Sequence, residues 1–123
     1  MNAVSTANAP AAIGPYAQAI QIGDVLYTSG QIPLTPAGDM VAGGIDTQVR
    51  QVLSNLDAVL TAAGLTRSHV VKTTIFMTNL GDFSTVNEIY GEFFGEHHPA
   101  RSTVQVAALP KGAEVEIECI AHK

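Results

Sequence analysis

Among 123 residues there is one cysteine, no tryptophan and only six lysines and arginines. The lone Cys119 cannot close an internal disulfide, so a crosslinked scaffold is excluded and a reducing compartment is expected. Eleven acidic residues outnumber the six basic ones and leave a formal net charge of −5. That balance disfavours phosphate backbones as partners, because binding them takes clustered Lys and Arg. No apolar run approaches the roughly 20 residues that span a bilayer. Met1 to Pro15 has neither a basic start nor a long apolar stretch, so no secretory signal is expected and the cytoplasm is the expected location. The four histidines are His69, the adjacent pair His97 and His98, and His122, with no Cys-x-x-Cys or His-x-x-x-His spacing. The pair reads as solvent-exposed imidazoles just beyond a helix end, and no metal is expected. Glycine-rich phosphate cradles are missing too, and no cofactor is expected.

What is present fits one self-sufficient core. The chain is 46% hydrophobic with a mean hydropathy of +0.21. Folding a chain of this mass hides about two-thirds of its surface, enough for one domain spanning residues 1–123. Tyr16 to Ile22 and Val25 to Ser29 flank Gly23-Asp24 and read as a hairpin. Gln31 to Gly44, punctuated by Pro33, Pro36, Gly38, Gly43 and Gly44, reads as a loop with room for one short strand. Val49, Val52, Leu53, Leu56, Val59 and Leu60 recur at helical spacing, between a cap at Asp46 or Thr47 and a stop at Gly64.

Val70 to Thr78 is β-branched and aromatic and reads as a strand. A second helix is expected from a cap at Asp82 to Gly95, burying Phe83, Val86, Tyr90, Phe93 and Phe94. Strands follow at Arg101 to Val106 and Ala113 to Ala121, separated by a turn at Pro110-Lys111-Gly112. In the last strand Glu114, Glu116 and Glu118 oppose Val115, Ile117 and Cys119. The order ββαβαββ implies an α+β fold, a mixed sheet with two helices packed on one face. Nothing remains to cover the other face, although Ile20, Ile22, Val25 and Tyr27 fall on it. That face is expected to pack in a closed oligomer.

Few residues are left to carry chemistry. Of three arginines, Arg50 lies in the first turns of a helix and Arg67 in a polar turn, both natural exposed settings. Arg101 alone can reach a sheet-lined cleft, where its rigid fork would suit a small carboxylate. Glu116 sits mid-strand; it belongs either to an outward acidic stripe or, if a neighbouring subunit closes that face, to a partly desolvated site that holds a water. A Ser29, His69 and Asp82 triad can be written on paper, but no nucleophile elbow supports it.

Several segments occur together in one order: Ile13-Gly14-Pro15-Tyr16, Thr28-Ser29-Gly30-Gln31-Ile32-Pro33, Val71-Lys72-Thr73-Thr74, Val86-Asn87-Glu88-Ile89-Tyr90, Pro99-Ala100-Arg101-Ser102-Thr103-Val104, Leu109-Pro110-Lys111-Gly112 and Val115-Glu116-Ile117-Glu118. The set resembles the Rid/YjgF family, specifically its RidA-like reactive-intermediate deaminases, over nearly the whole chain. The resemblance implies a chorismate-mutase-like subunit and a homotrimer with sites in the clefts between subunits. It further implies cofactor-free hydrolysis of 2-imino acids, the products of pyridoxal-phosphate dehydratases, to 2-oxo acids and ammonia.

Position by position, the resemblance gives Arg101 the substrate carboxylate and Glu116 the water. Tyr16, Ser29, Gly30 and Asn87 are to line or support the pocket. Thr103 stands where many relatives carry cysteine, which implies that no thiol nucleophile is required. Two other readings attach to such proteins: a non-catalytic trimeric binder of small carboxylates or a holdase, and an endoribonuclease or translation inhibitor. For the last, a chain of net charge −5 lacks both a basic stripe and an aromatic stacking platform.

Overall fold

The computed structural model describes all 123 residues. Its strands are β1 (Asn2–Val4), β2 (Ala19–Ile22), β3 (Val25–Thr28), β4 (Val70–Met77), β5 (Ala100–Gln105) and β6 (Val115–His122); its helices are α1 (Ile45–Ala62) and α2 (Phe83–Phe94). They form one six-stranded sheet in the order β1-β2-β3-β6-β4-β5. Only β4 and β5 run parallel; every other pair is antiparallel.

This topology explains why both helices share a face. β3 and β4 each pair antiparallel with β6, so they run parallel to one another with β6 inserted between them. The connection through α1 therefore crosses over β6, and the connection through α2 crosses from β4 to β5. Both crossovers step in the same direction along the sheet, and parallel connections share one hand. Two such steps in one direction put both helices on the same side.

The core is the layer between sheet and helices. Val49, Val52, Leu53, Leu56, Val59 and Leu60 of α1 are all buried, and β6 meets them with Val115, Ile117, Cys119 and Ala121. From β4 come Val70, Ile75 and Met77, and from α2 Val86, Ile89, Tyr90 and Phe94. Burial pushes the Cys119 thiol up to about 11, helped by nearby Glu118 and opposed by its contact with Thr28, so the thiol packs as an apolar group.

On the far face of the hairpin Ile20 pairs with Tyr27 and Ile22 with Val25. Nothing in the chain covers these side chains, and Tyr27 and Ile22 remain about half exposed.

Several boundaries differ from the sequence expectations. The N-terminal residues add the edge strand β1, which three residues could not announce by periodicity. Tyr16 to Gln18 lie outside β2, because buried Gln18 is committed to the N-terminal segment: its amide nitrogen donates to the carbonyls of Pro10 (2.7 Å) and Thr6 (3.1 Å), and its oxygen accepts from the Thr6 amide (2.7 Å). The N-cap of α1 is Gly44, two residues ahead of the expected Asp46 and three ahead of Thr47, and Asp46 falls in the first turn, where its charge complements the helix dipole.

Phe83 is 39% exposed instead of buried, and Ile89 takes a core position instead. His97 is not a free imidazole: half-buried, it donates from Nε2 to the Val70 carbonyl (2.6 Å), whose strand is bulged between Val70 and Lys72. Arg67 is held as well, with Asp57 at 3.4 Å, a hydrogen bond to the Phe93 carbonyl (2.8 Å) and the Phe93 ring 4.0 Å below its guanidinium.

Asn55, fully buried on α1, ties the Gln31–Gly44 loop to the core. Its amide nitrogen donates to the carbonyls of Leu34 (2.9 Å) and Ile32 (3.2 Å), and its oxygen accepts from Gln51 (2.9 Å). Asn55→Ala leaves the Leu34 carbonyl without a donor, a loss of about 1–3 kcal/mol, while the Ile32 carbonyl keeps the Leu34 amide (2.7 Å). The variant is expected to lose about 1–3 kcal/mol in urea unfolding. Asn55→Gln, too long for the same geometry, is expected to lose stability as well.

Candidate active site

Strand alternation divides the expected site residues into two groups on opposite faces. Arg101 stands beside Thr73 in the parallel β4–β5 ladder, so both side chains project toward the helices. Its guanidinium lies 4.9 Å from the centroid of the Tyr90 ring and 5.5 Å from that of Phe83. Arg101 has no carboxylate partner and no hydrogen bond, whereas Arg50 is paired with Glu92 (3.6 Å) and Arg67 with Asp57. It is thus the arginine whose charge is free for a ligand.

Asn87 and Arg101 line one hollow of about 460 Å³, together with Tyr90, Phe94, His98 and Pro99. Two residues along β5 and on the same side, Thr103 carries a buried hydroxyl with no partner in the chain. A buried hydroxyl is ordinarily hydrogen-bonded, so Thr103 is an exception on the strand face that also carries the unpaired Arg101.

Glu116 belongs to the other group. It lies between Val115 and Ile117, both fully buried against the helices, so its carboxylate points to the open face, where its ladder partner is Phe76. Desolvation, and then repulsion by Glu118, holds its carboxyl above the ordinary range.

The segment Ser29–Gln31 runs alongside. Gln31 exchanges two backbone hydrogen bonds with Ile117 (2.9 and 3.1 Å), and the Ser29 hydroxyl donates to the Ala17 carbonyl (2.6 Å). This places Gly30 against the Glu116 side chain, so close that an added Cβ would sit 2.7 Å from the carboxyl carbon. Only glycine leaves that carboxylate where it is. Tyr16 completes the group: it borders a small recess with Gly30, Gln31 and Ile13, and its hydroxyl accepts from the Ile13 amide (3.2 Å).

Within one chain, then, Arg101, Asn87 and Thr103 gather on the helix side of an edge strand. Tyr16, Ser29, Gly30 and Glu116 gather about the open face. The sequence reading missed Tyr90 and Thr73 as supports of Arg101, since helical spacing marks Tyr90 only as core and a strand threonine carries no signal. Ser29 and Asp82 fall into no triad with His69, whose Nδ1 accepts from the Thr66 amide (3.0 Å) in a local cap. No three His, Cys, Asp or Glu side chains converge.

The fold is thus an α+β sheet with an unpaired arginine at its edge strand and a glycine packed closely against a glutamate on its open face. The family model described as Endoribonuclease L-PSP matches residues 6–123, and the chain belongs to this family, the Rid/YjgF proteins. Protein DfrA of Myxococcus xanthus is 55% identical over 97% of this chain and 93% of its own length. The 2-iminobutanoate/2-iminopropanoate deaminase of Salmonella typhimurium is 51% identical over 96% of this chain and 94% of its own. Among solved structures, E. coli TdcF with bound serine superposes with a TM-score of 0.96 at 44% identity, covering 100% of this chain and 99% of that one.

The raised proton affinity of Glu116 has a consequence for stability. A carboxyl whose folded-state pKa exceeds its unfolded value stabilises the fold at low pH and loses that contribution as pH rises through the folded value. Ionised Glu116 therefore weakens the fold at neutral pH. Glu116→Gln is expected to melt at a higher temperature than the parent at pH 8, with the difference closing below about pH 4, as checked by calorimetry across that range. A variant that melts lower at pH 8 and higher at pH 4 contradicts the assignment.

Proposed function

We propose that this protein hydrolyses 2-imino acids such as 2-iminobutanoate and 2-iminopropanoate to the corresponding 2-oxo acids and ammonia, in sites formed between subunits of a homotrimer. The observation that carries the reading is the guanidinium of Arg101, free of any carboxylate in its own chain and held over the Tyr90 and Phe83 rings, with an orphaned Thr103 hydroxyl two residues along the same strand face. Such a group is a receptor for a small organic carboxylate. The deaminase names of relatives about 50% identical over the chain's length supply the substrate class.

The division of the site supports the assembly. Arg101 and Glu116 face opposite sides of one sheet, so a ligand can meet both only where the β5 edge of one copy approaches the open face of another. The uncovered apolar residues Ile22 and Tyr27 on that face suit such a contact.

The chemistry follows from the parts. Arg101 forks the carboxylate and fixes the planar C=N group, and the Thr103 hydroxyl lies within the same face to bond the substrate. Glu116 accepts a proton from a water and turns its lone pair to the imine carbon. Attack gives a tetrahedral carbinolamine; its nitrogen takes up a proton, the C–N bond breaks, and ammonia leaves as the carbonyl forms. No external oxidant or reductant is needed. The reaction proceeds slowly in water, so orientation and local electrostatics suffice to accelerate it. A nuclease reading draws little from the surface, where two of the three arginines are already paired with acids.

The test is direct. With the imine supplied by threonine dehydratase and 2-oxo acid release followed, Arg101→Ala is expected to fold normally and lose roughly 10²–10³-fold in kcat/KM. Gly30→Ala, which pushes the Glu116 carboxylate aside, is expected to lose rate chiefly in kcat. An Arg101→Ala variant as active as the parent overturns the reading. If preformed imine decays no faster with the protein than without it, the protein binds carboxylates without catalysis.

A further inference from the structure

Arg101 raises a physical problem. A long, charged side chain with no ion pair and no hydrogen bond in its own chain should sample many rotamers, yet a carboxylate fork works only when held in one orientation. The surroundings supply a holder made of neutral groups. The Tyr90 ring lies 4.9 Å from the guanidinium carbon, close enough for the cation to be attracted to its face, and Phe83 walls the other approach at 5.5 Å.

Tyr90 is itself fixed twice. Phe94 packs against its ring at 4.7 Å between centroids, and its hydroxyl shares a 2.6 Å hydrogen bond with Thr73 Oγ1. Thr73 is 0% exposed and is the residue paired with Arg101 in the β4–β5 ladder. The contacts close a circuit: backbone ladder from Arg101 to Thr73, hydroxyl bond from Thr73 to Tyr90, ring face from Tyr90 back to Arg101. For core packing alone Val and Phe would serve at these two places without burying any hydroxyl, and a buried hydroxyl pair is retained here at the point where it sets the angle of one ring.

We infer that Thr73 and Tyr90 are positioning residues, whose shared hydrogen bond fixes the ring that aims Arg101 at the substrate carboxylate. The inference rests on the deaminase reading for its substrate, but the circuit itself is a property of the chain. It uses uncharged groups, so it orients the guanidinium without neutralising it. A carboxylate in the same place would orient it equally well and compete with the substrate for its charge.

Two kinds of measurement test this. In the imine-hydrolysis assay, Thr73→Val and Tyr90→Phe each remove one hydroxyl at nearly constant volume. Each is expected to raise KM about 5- to 20-fold with kcat within about twofold of the parent, and Thr73→Ser, which keeps a hydroxyl, is expected to restore most of the KM. Independently of any substrate, the ¹⁵N–¹H heteronuclear NOE of the Arg101 Nε group is expected to be high in the parent and Thr73→Ser and clearly reduced in Thr73→Val and Tyr90→Phe.

An Arg101 Nε signal equally ordered in all four proteins overturns the inference, as does a loss confined to kcat. If the parent hydrolyses no imine while the NOE still falls in the two hydroxyl-deleted variants, the positioning circuit stands and the deaminase reading falls. Should one variant fail to fold, the other carries the test, since each breaks the same bond from its opposite end.

Discussion

The two-residue period of β6 is the constraint on which the rest of the molecule depends. Val115, Ile117, Cys119 and Ala121 must face the helices, because β6 is the strand that α1 packs against most closely. Once they do, Glu116 and Glu118 are committed to the open face, and a slip of one residue would bury two carboxylates and expose the floor. The same period in β5, read through its ladder with β4, turns Arg101 and Thr103 the other way. The separation of the arginine from the glutamate is thus a by-product of how the core is built. On the proposed reading, chemistry that uses both draws on a second copy.

The electrostatics are economical in charge. With six basic residues in the chain, two of the three arginines brace the outer side of the helices against Glu92 and Asp57, and one is left unneutralised. That one lies over the faces of Tyr90 and Phe83. Glu116 is treated similarly, wedged against the Gly30 backbone with a second carboxylate nearby and no cation within ion-pair distance. Both groups are kept in conditions that a folded chain ordinarily avoids, and functional groups are where such exceptions are expected.

Much of this was legible in the sequence. The helical stripe of α1, the strict alternation of Val115 to Cys119 and the breaks at Gly64 and Gly95 depend on local periodicity and turn chemistry, which a single chain displays. Arg101 stood out by elimination among three arginines, and Tyr16, Ser29, Gly30, Asn87 and Thr103 by resemblance.

What escaped has a common cause. Asn55, Gln18, His97, Tyr90 and Thr73 act through partners 8 to 27 positions away, such as Pro10 for Gln18 and Val70 for His97. Their type announces nothing: an amide in a helix or a threonine in a strand reads as filler until the chain closes around it. The N-terminal strand escaped for another reason, since three residues are too few to show a period. The closeness of Gly30 to Glu116, across 86 positions, was equally invisible from the glycine itself.

The placing of Arg101 and Glu116 on opposite faces also bears on inheritance. In an assembly whose sites form between copies, one chain lends its arginine to one neighbour and its glutamate to the other. Two alleles, each defective at a different one of these positions, would then complement in a cell carrying both, because some mixed rings contain a cleft with both residues intact. A lesion in α1 or β6, which unfolds the chain that bears it, offers no such rescue.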